Sequence, residues 1–241
     1  MPLYLEKPIG KTPLDIIKDI KGKEDIKYSF AGRLDPMARG KLIILKGDEC
    51  KIQHLYCNFD KIYEFEILFG IKTDTYDILG IIQSFININY KEINFNINKY
   101  TGEFEQPYPP YSSIIVNKKP LWLWSKEGKI EEISIPTKKI NIYNLEFLKD
   151  INILNEKELL SLIKKKIYKL DKSKHTDFRV EQIIKLWETY LTNNKFKPII
   201  KKFRVKVSSG TYIRSLVNRI GEDLGVGAIA FDIHRTEFLN K

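Results

Sequence analysis

The sequence predicts an α+β protein, on three observations. Tyr63, Phe65, Ile67 and Phe69 alternate within "KIYEFEILFG", the period of a half-buried strand. Val180, Ile183, Ile184, Trp187 and Leu191 recur at the spacing of an amphipathic helix, so both kinds of element are present. The chain has 241 residues, 43% hydrophobic and 30% charged, which suffices for a sizeable core and is too apolar for disorder.

In chain order, Leu3 and Leu5 have the pattern of a short strand, followed by a turn at Lys7-Pro8-Ile9-Gly10. Thr12 can cap a helix that starts at Pro13; Leu14, Ile17 and Ile20 supply its apolar stripe and Gly22 ends it. A loop, "AGRLDPMARG", then precedes an apolar strand over residues 42–45. The 63–69 strand stops at Gly70, in "GIKTDTYDILG", whose Thr, Asp and Gly content is turn-like. "FININYKEINFNINKY" suits a strand by its alternation and a helix in its second half, and the pattern does not choose between them. "FEQPYPPYSSIIVNKKPLWLW" reads as a Pro-rich loop leading into an aromatic, basic segment.

From about residue 151 to 202 the character becomes helical and basic. Asn155 with Glu158 resembles a capping box ahead of Leu159, Ile163 and Ile167, and the 180–191 helix follows. Lys164, Lys165 and Lys166 give the stretch its charge. Finally, "FRVKVSSG" is a strand and "TYIRSLVNRIGEDLGVG" a helix, with Ile213, Leu216, Val217, Ile220 and Leu224 inward and Gly225 as its stop.

The formal net charge of +10 points to a polyanionic partner, nucleic acid before membrane. Cys50 and Cys57 match no zinc or redox spacing, and His54, His175 and His234 are scattered, so a metal site is not expected. No apolar run approaches the ~20 residues of a membrane span. The first ten residues lack the order of a signal peptide, and an intracellular protein is expected.

Two junctions between a loop and a regular element could carry chemistry. Asp35 sits in a Pro- and Gly-pinned loop before a strand, and Arg214 lies in the first turn of the last helix. A lone Asp in a turn commonly caps or forms an Asx-turn, and a lone Arg commonly serves the surface. If the two meet in a cleft, the cation would hold Asp35 ionised, and a positioned carboxylate can act as nucleophile or general base.

These residues carry a resemblance. "GRLDPMARGKLIILKG" resembles the catalytic signature of the TruB-type tRNA pseudouridine synthases, G-x-L-D-P-x-A-x-G. "LEKPIGKT" is similar to their N-terminal K-P-x-G-x-[TS], and "YEFEILFGIKTDTYDILG" to their Y-x(6)-G-x-x-T-D-T-x-D-x-x-G. "FEQPYPPYSS" and "SSGTYIRSL" resemble two further motifs, and all five stand in the family's order.

The resemblance implies the pseudouridine synthase fold, one α+β catalytic domain over residues 1–241 with a mixed, mainly antiparallel sheet and flanking helices. It implies isomerisation of uridine to pseudouridine, at uridine 55 in the T-loop of tRNA, with no cofactor and no metal. A monomer in the cytoplasm, away from membranes, is expected. Asp35 matches the catalytic aspartate, Tyr63 the tyrosine that stacks on the target base, and Arg214 the arginine that pairs with the aspartate. Lys7 and Pro8 match the pair that supports the active-site loop. The base must leave its stack, at a cost of a few kcal/mol that aromatic stacking offsets. Phosphate contacts fall to Lys and Arg. Residues 107–135 lie where the family carries an RNA-embracing thumb loop, and supply Lys118, Lys119, Lys126 and Lys129.

Three departures bear on substrate choice. Phe30 stands where the family usually has a histidine, and Arg33 before Leu34 resembles the R-L-D of the ribosomal branch of these enzymes. Both are candidate RNA contacts. The chain is expected to lack the small C-terminal RNA-binding (PUA) domain common in relatives. The basic helical stretch at 151–202 replaces what is usually a short hairpin, and either takes over RNA contacts or only packs on the sheet. Another structured RNA as substrate, or a non-catalytic RNA-binding or RNA-folding role, are the alternatives.

Overall fold

The computed structural model describes residues 1–22, 26–88, 93, 96–153, 155–174, 177–194 and 197–239. Its first half contains β1 (Leu3–Lys7), α1 (Pro13–Ile20), β2 (Tyr28–Ala31), β3 (Ala38–Lys46), α2 (Gln53–Cys57), β4 (Asp60–Phe69), β5 (Ile71–Thr73), β6 (Ile82–Phe85) and β7 (Gly102–Pro107). There follow β8 (Ile115–Val116), β9 (Lys119–Pro120), α3 (Leu121–Lys126), β10 (Thr137–Ile151), α4 (Glu156–Ile167), α5 (Val180–Asn193), β11 (Ile200–Val207), α6 (Ile213–Asp223) and β12 (Ala228–Leu239).

An eight-stranded sheet in the order β1-β3-β12-β4-β11-β10-β7 organises the chain, with β2 as a further partner of β3. All its pairings are antiparallel except β3 with β12, so the mixed, mainly antiparallel expectation holds. β3 divides one edge between two partners: β12 beside Ala38, Arg39 and Gly40, and β2 beside Ile43 to Lys46. The chain leaving β2 must therefore double back past β12 before β3 can start. That reversal is the loop at residues 32–37.

Alternation along the strands splits the core between two faces. Phe65, Ile67, Phe203 and Val205 pack with Leu216, Val217 and Ile220 of α6. Leu68, Ile200, Ile229 and Phe231 point the other way, onto Leu159, Ile163 and Ile167 of α4 and Val180, Ile183, Ile184, Trp187 and Leu191 of α5. Both apolar stripes expected of these helices are thus buried, and Trp187 donates its indole N–H to the Ile78 carbonyl at 3.1 Å. Asn155 caps α4 by accepting the backbone N–H groups of Lys157 and Glu158.

Several elements differ from the sequence reading. In α1 it is Ile16, not Leu14, that is buried, because the helix lays Ile16, Ile17 and Ile20 on Leu42 and Ile44 of β3. Residues 102–107 form a strand at the sheet edge that takes in the start, from Phe104, of the stretch expected as loop, and Pro107 at its end is tolerated there. β10, fifteen residues long, was not expected; two register shifts interrupt the alternation that would reveal it. Within "FININYKEINFNINKY", residues 89–92, 94 and 95 lie outside the described residues, and residues 97–100 form a 3-10 turn. Among the described residues no helix is long and apolar enough to cross a membrane.

Candidate active site

Glycines bracket the 32–37 loop for steric reasons. Gly32 and Gly40 take positive φ values of +70 and +118, and a Cβ on Gly40 would lie 2.2 Å from the Arg235 carbonyl oxygen. Pro36 occupies the second position of a turn closed by the Ala38 N–H on the Asp35 carbonyl at 3.0 Å. The Pro36 carbonyl accepts the Gly10 N–H at 2.8 Å, so the N-terminal turn supports the loop from behind.

Two buried cations fix the loop's surroundings. Lys7 donates its ammonium to the carbonyls of Pro8 at 3.0 Å and Lys11 at 2.6 Å. Burial lowers its pKa to about 8, with the Asp35 charge working the other way. Pro8 itself is exposed. Arg235 donates to the carbonyls of Gly32 at 2.9 Å, Arg33 at 3.4 Å and Lys41 at 2.7 Å, tying both ends of the loop to β12.

The last helix delivers Arg214 to this loop. Gln106 of β7 accepts the Tyr212 N–H at 2.8 Å and donates to the Tyr212 carbonyl at 3.1 Å, which sets where α6 begins. Arg214, 3% exposed, places Nε 2.8 Å from Asp35 Oδ2. Its other nitrogens donate to the carbonyls of Thr75 at 2.7 Å and Tyr111 at 3.2 Å. Burial works against the Arg214 charge, and Asp35 and Asp77 more than offset it. Asp77 Oδ2 lies 3.9 Å from the same Nε, and burial pushes its pKa up to about 6.

Asp35 opens into a cleft of about 380 Å³ lined also by Phe30, Arg33, Tyr63 and Arg214. Tyr63 is buried and forms part of the wall; the Arg33 guanidinium lies 5.2 Å from the centre of the Phe30 ring. The cleft also contains Lys61, Lys138 and Tyr212, which sequence reasoning did not single out. Lys61 donates to the carbonyls of Cys57 at 3.1 Å and Phe59 at 2.5 Å, and burial lowers its pKa to about 8. Its signal was available, since Lys61 is in phase with Tyr63 and Phe65 on the buried face of β4. The Tyr212 hydroxyl is pushed up to about 12 by burial and the nearby Asp35 charge.

The structure therefore brings Asp35, Tyr63, Arg214, Phe30 and Arg33 to one cleft, with Lys7 behind it. Lys118, Lys119 and Lys126 lie outside the cleft lining. Lys118 shares with Asn117 the two-residue turn of the β8–β9 hairpin, both with positive φ. Lys119 pairs with Glu127 and stacks on Trp124 at 3.9 Å; Lys126 lies 3.7 Å from Asp177.

The model of the TruB family pseudouridylate synthase N-terminal domain matches residues 18–157. The chain is 33% identical over 238 residues to a tRNA pseudouridine synthase B of Clostridium novyi (strain NT), covering 98% of this chain and 66% of that protein. It is 29% identical over 236 residues to the Thermotoga maritima protein of the same name, covering 97% and 61%. The chain thus spans slightly less than two thirds of the length of these relatives. In structure it is similar to a Cbf5-Nop10-Gar1 complex chain, with a TM-score of 0.56 at 20% identity, over 98% of this chain and 48% of that one. A chain of an H/ACA RNP bound to a substrate RNA containing 2′-deoxyuridine gives 0.52 at 17%, over 98% and 47%. These two likenesses concern the fold.

Proposed function

We infer the activity from the premise that this chain belongs to the TruB family of pseudouridylate synthases: it isomerises uridine to pseudouridine in RNA, at uridine 55 in the T-loop of tRNA. The observation that carries the reading is the Asp35–Arg214 pair at 2.8 Å, with its carboxylate facing a cleft walled by Tyr63. The N1–C1′ bond breaks, the uracil turns and a C5–C1′ bond forms; the C5 proton is lost and N1 regains one, so the product is an isomer. Asp35 either attacks C1′ or the base, or assists cleavage; each route needs a carboxylate oxygen held toward the nucleotide. Arg214 supplies that hold, and the Tyr63 ring supplies the stacking surface for the extruded base.

Lys138 and Arg33 stand at the cleft where the phosphates of a splayed nucleotide would pass, while Lys61 is buried in its wall with its ammonium on two carbonyls. Residues 107–135 act as a thumb over the RNA, with Lys118 at its hairpin tip and Lys119 and Lys126 on its flank. The catalytic domain comprises residues 1–241 and works as a monomer in the cytoplasm. Bacterial relatives named as tRNA pseudouridine synthases support tRNA as the substrate class. A second substrate, another structured RNA, is favoured by one observation: the Arg33–Phe30 stack stands in the cleft where the family usually has a histidine.

The test is pseudouridine mapping, by chemical modification and primer extension, on a pool of unmodified tRNA incubated with the chain and with Asp35→Asn. One modified T-loop position, absent with the variant, is the expected result. Modification confined to another RNA would reject the tRNA assignment, and none in any RNA would reject the activity.

A further inference from the structure

We propose that Arg179 is a positioning residue for the reaction, acting on Arg214 through Asp74 and Tyr111, and that the helical segment carrying it braces the active site. The proposal rests on the activity inferred above.

Arg179 sits at the start of α5 with φ +57, a conformation that L-residues hold only where the surroundings fix them. Its Nη1 lies 2.7 Å from Asp74 Oδ2, and its guanidinium 4.7 Å from the centre of the Tyr111 ring. Tyr111 donates its hydroxyl to the same Asp74 oxygen at 3.0 Å. The other Asp74 oxygen accepts the Ile81 N–H at 2.7 Å and closes the turn there. Three segments distant in sequence thus meet on one carboxylate.

Two of them hold the active-site arginine. Thr75, next to Asp74, and Tyr111 each offer Arg214 a carbonyl, at 2.7 and 3.2 Å. Arg179 supplies the cation that draws Asp74 and Tyr111 together, and so sets the separation of those two carbonyls. The same approach to α5 touches α3 through Asp177 and Lys126 at 3.7 Å, an exposed pair of little strength. Three lysines of the segment have protein partners. Lys166 bonds the Asp232 carboxylate and the Phe231 carbonyl, both at 2.8 Å, while Lys164 pairs with Glu188 and Lys174 with Asp15. Those three side chains tie the segment to the protein, while Lys157, Lys165, Lys169, Lys172 and Lys185 are exposed.

The experiment compares wild type, Arg179→Ala, Arg179→Lys and Tyr111→Phe, using an unmodified tRNA transcript, by single-turnover pseudouridine formation and by equilibrium binding. Arg179→Ala should slow the reaction at saturating RNA by ~10- to 100-fold, the scale of a displacement near 1 Å, and leave Kd within about threefold. Arg179→Lys, which keeps the charge on Asp74, should recover most of the rate. Tyr111→Phe keeps the ring and the carbonyl but loses the hydroxyl bond, and should slow the reaction less than Arg179→Ala. Hydrogen exchange on the free protein should rise at residues 74–81 and 108–112 in Arg179→Ala and stay unchanged in β4 and β11. Weakened affinity with a normal rate at saturation would overturn the proposal in favour of RNA contact, and unchanged rate and exchange would overturn it outright. A wild type that forms no pseudouridine would fail the inferred activity instead. The exchange measurement would then still decide whether Arg179 holds the two segments together.

Discussion

The loop at residues 32–37 and the turn at residues 74–81 each bring a carboxylate to the guanidinium of Arg214. Asp35 approaches to 2.8 Å with its side chain 26% exposed; Asp77 stands at 3.9 Å and is 9% exposed. Asp77 Oδ1 also takes the Thr75 hydroxyl at 2.7 Å and the Leu79 N–H at 2.9 Å. Those local donors belong to its own turn, so Asp77 closes a piece of structure. Asp35 is held by a cation from another element and keeps a face toward the cleft. Proximity to a cation is common to both; access and the origin of the other donors separate a carboxylate that can react from one that braces.

The largest expected effect tests that separation directly. Asp35→Asn should cut pseudouridine formation by at least ~10³-fold and leave RNA affinity within about threefold. Asp77→Asn should cost less, ~10- to 100-fold, through the pose of Arg214. Equal losses in a single-turnover assay would erase the distinction between the two regions.

Next comes the shared arginine. Arg214→Met strands Asp77 in a dry site and should lower stability at pH 7 by about 3–5 kcal/mol, read from urea denaturation. The loss should shrink at pH 5, where Asp77 takes up a proton.

Asp77 sharpens the comparison further through its pKa. In the unfolded chain an aspartate titrates near 3.9, and folded Asp77 near about 6. Between these values the native state binds more protons than the unfolded state, so this group lowers stability as pH rises from about 4 to 6, and its effect then levels off. Asp77→Asn should remove that slope, up to ~1.4 kcal/mol per pH unit, in denaturation curves taken across the window.

The smallest effects belong to the lysines. Lys138→Ala, at the cleft, should weaken RNA binding several-fold and reduce the slope of log K against log salt by about one. Lys119→Ala should do less, because Lys119 is already committed to Glu127 and Trp124.

Much of the fold was legible one element at a time. Thr12 with Asp15 forms a capping box in the structure, Gly225 follows α6 with φ +70, and the stripes on α4, α5 and α6 are buried as their spacing indicates. These signals act within a few residues, where propensity, capping and periodicity are strong. β10 escaped because its bulges break the alternation, and Leu14 misled because a helical stripe says which residues share a face but not which edge of that face meets the sheet.

In the site, the turn chemistry of Gly32, Asp35, Pro36 and Gly40 could be read locally, and family resemblance paired Asp35 with Arg214. Arg235 left no such trace: register shifts in β12 on either side of it disturb the alternation that would mark an inward arginine. By itself, then, the sequence determined the apolar stripes of the helices from α4 onward, the β4 strand, the pinned loop and the motifs that carry the resemblance. Only the tertiary structure decided that Asp77 shares Arg214, that Arg235 ties the loop to β12, and that Arg179 reaches Asp74. The physical reason is distance along the chain. Arg214 and Asp35 are 179 residues apart and Arg179 and Asp74 are 105 apart, so their meeting depends on strand order and register rather than on any local pattern.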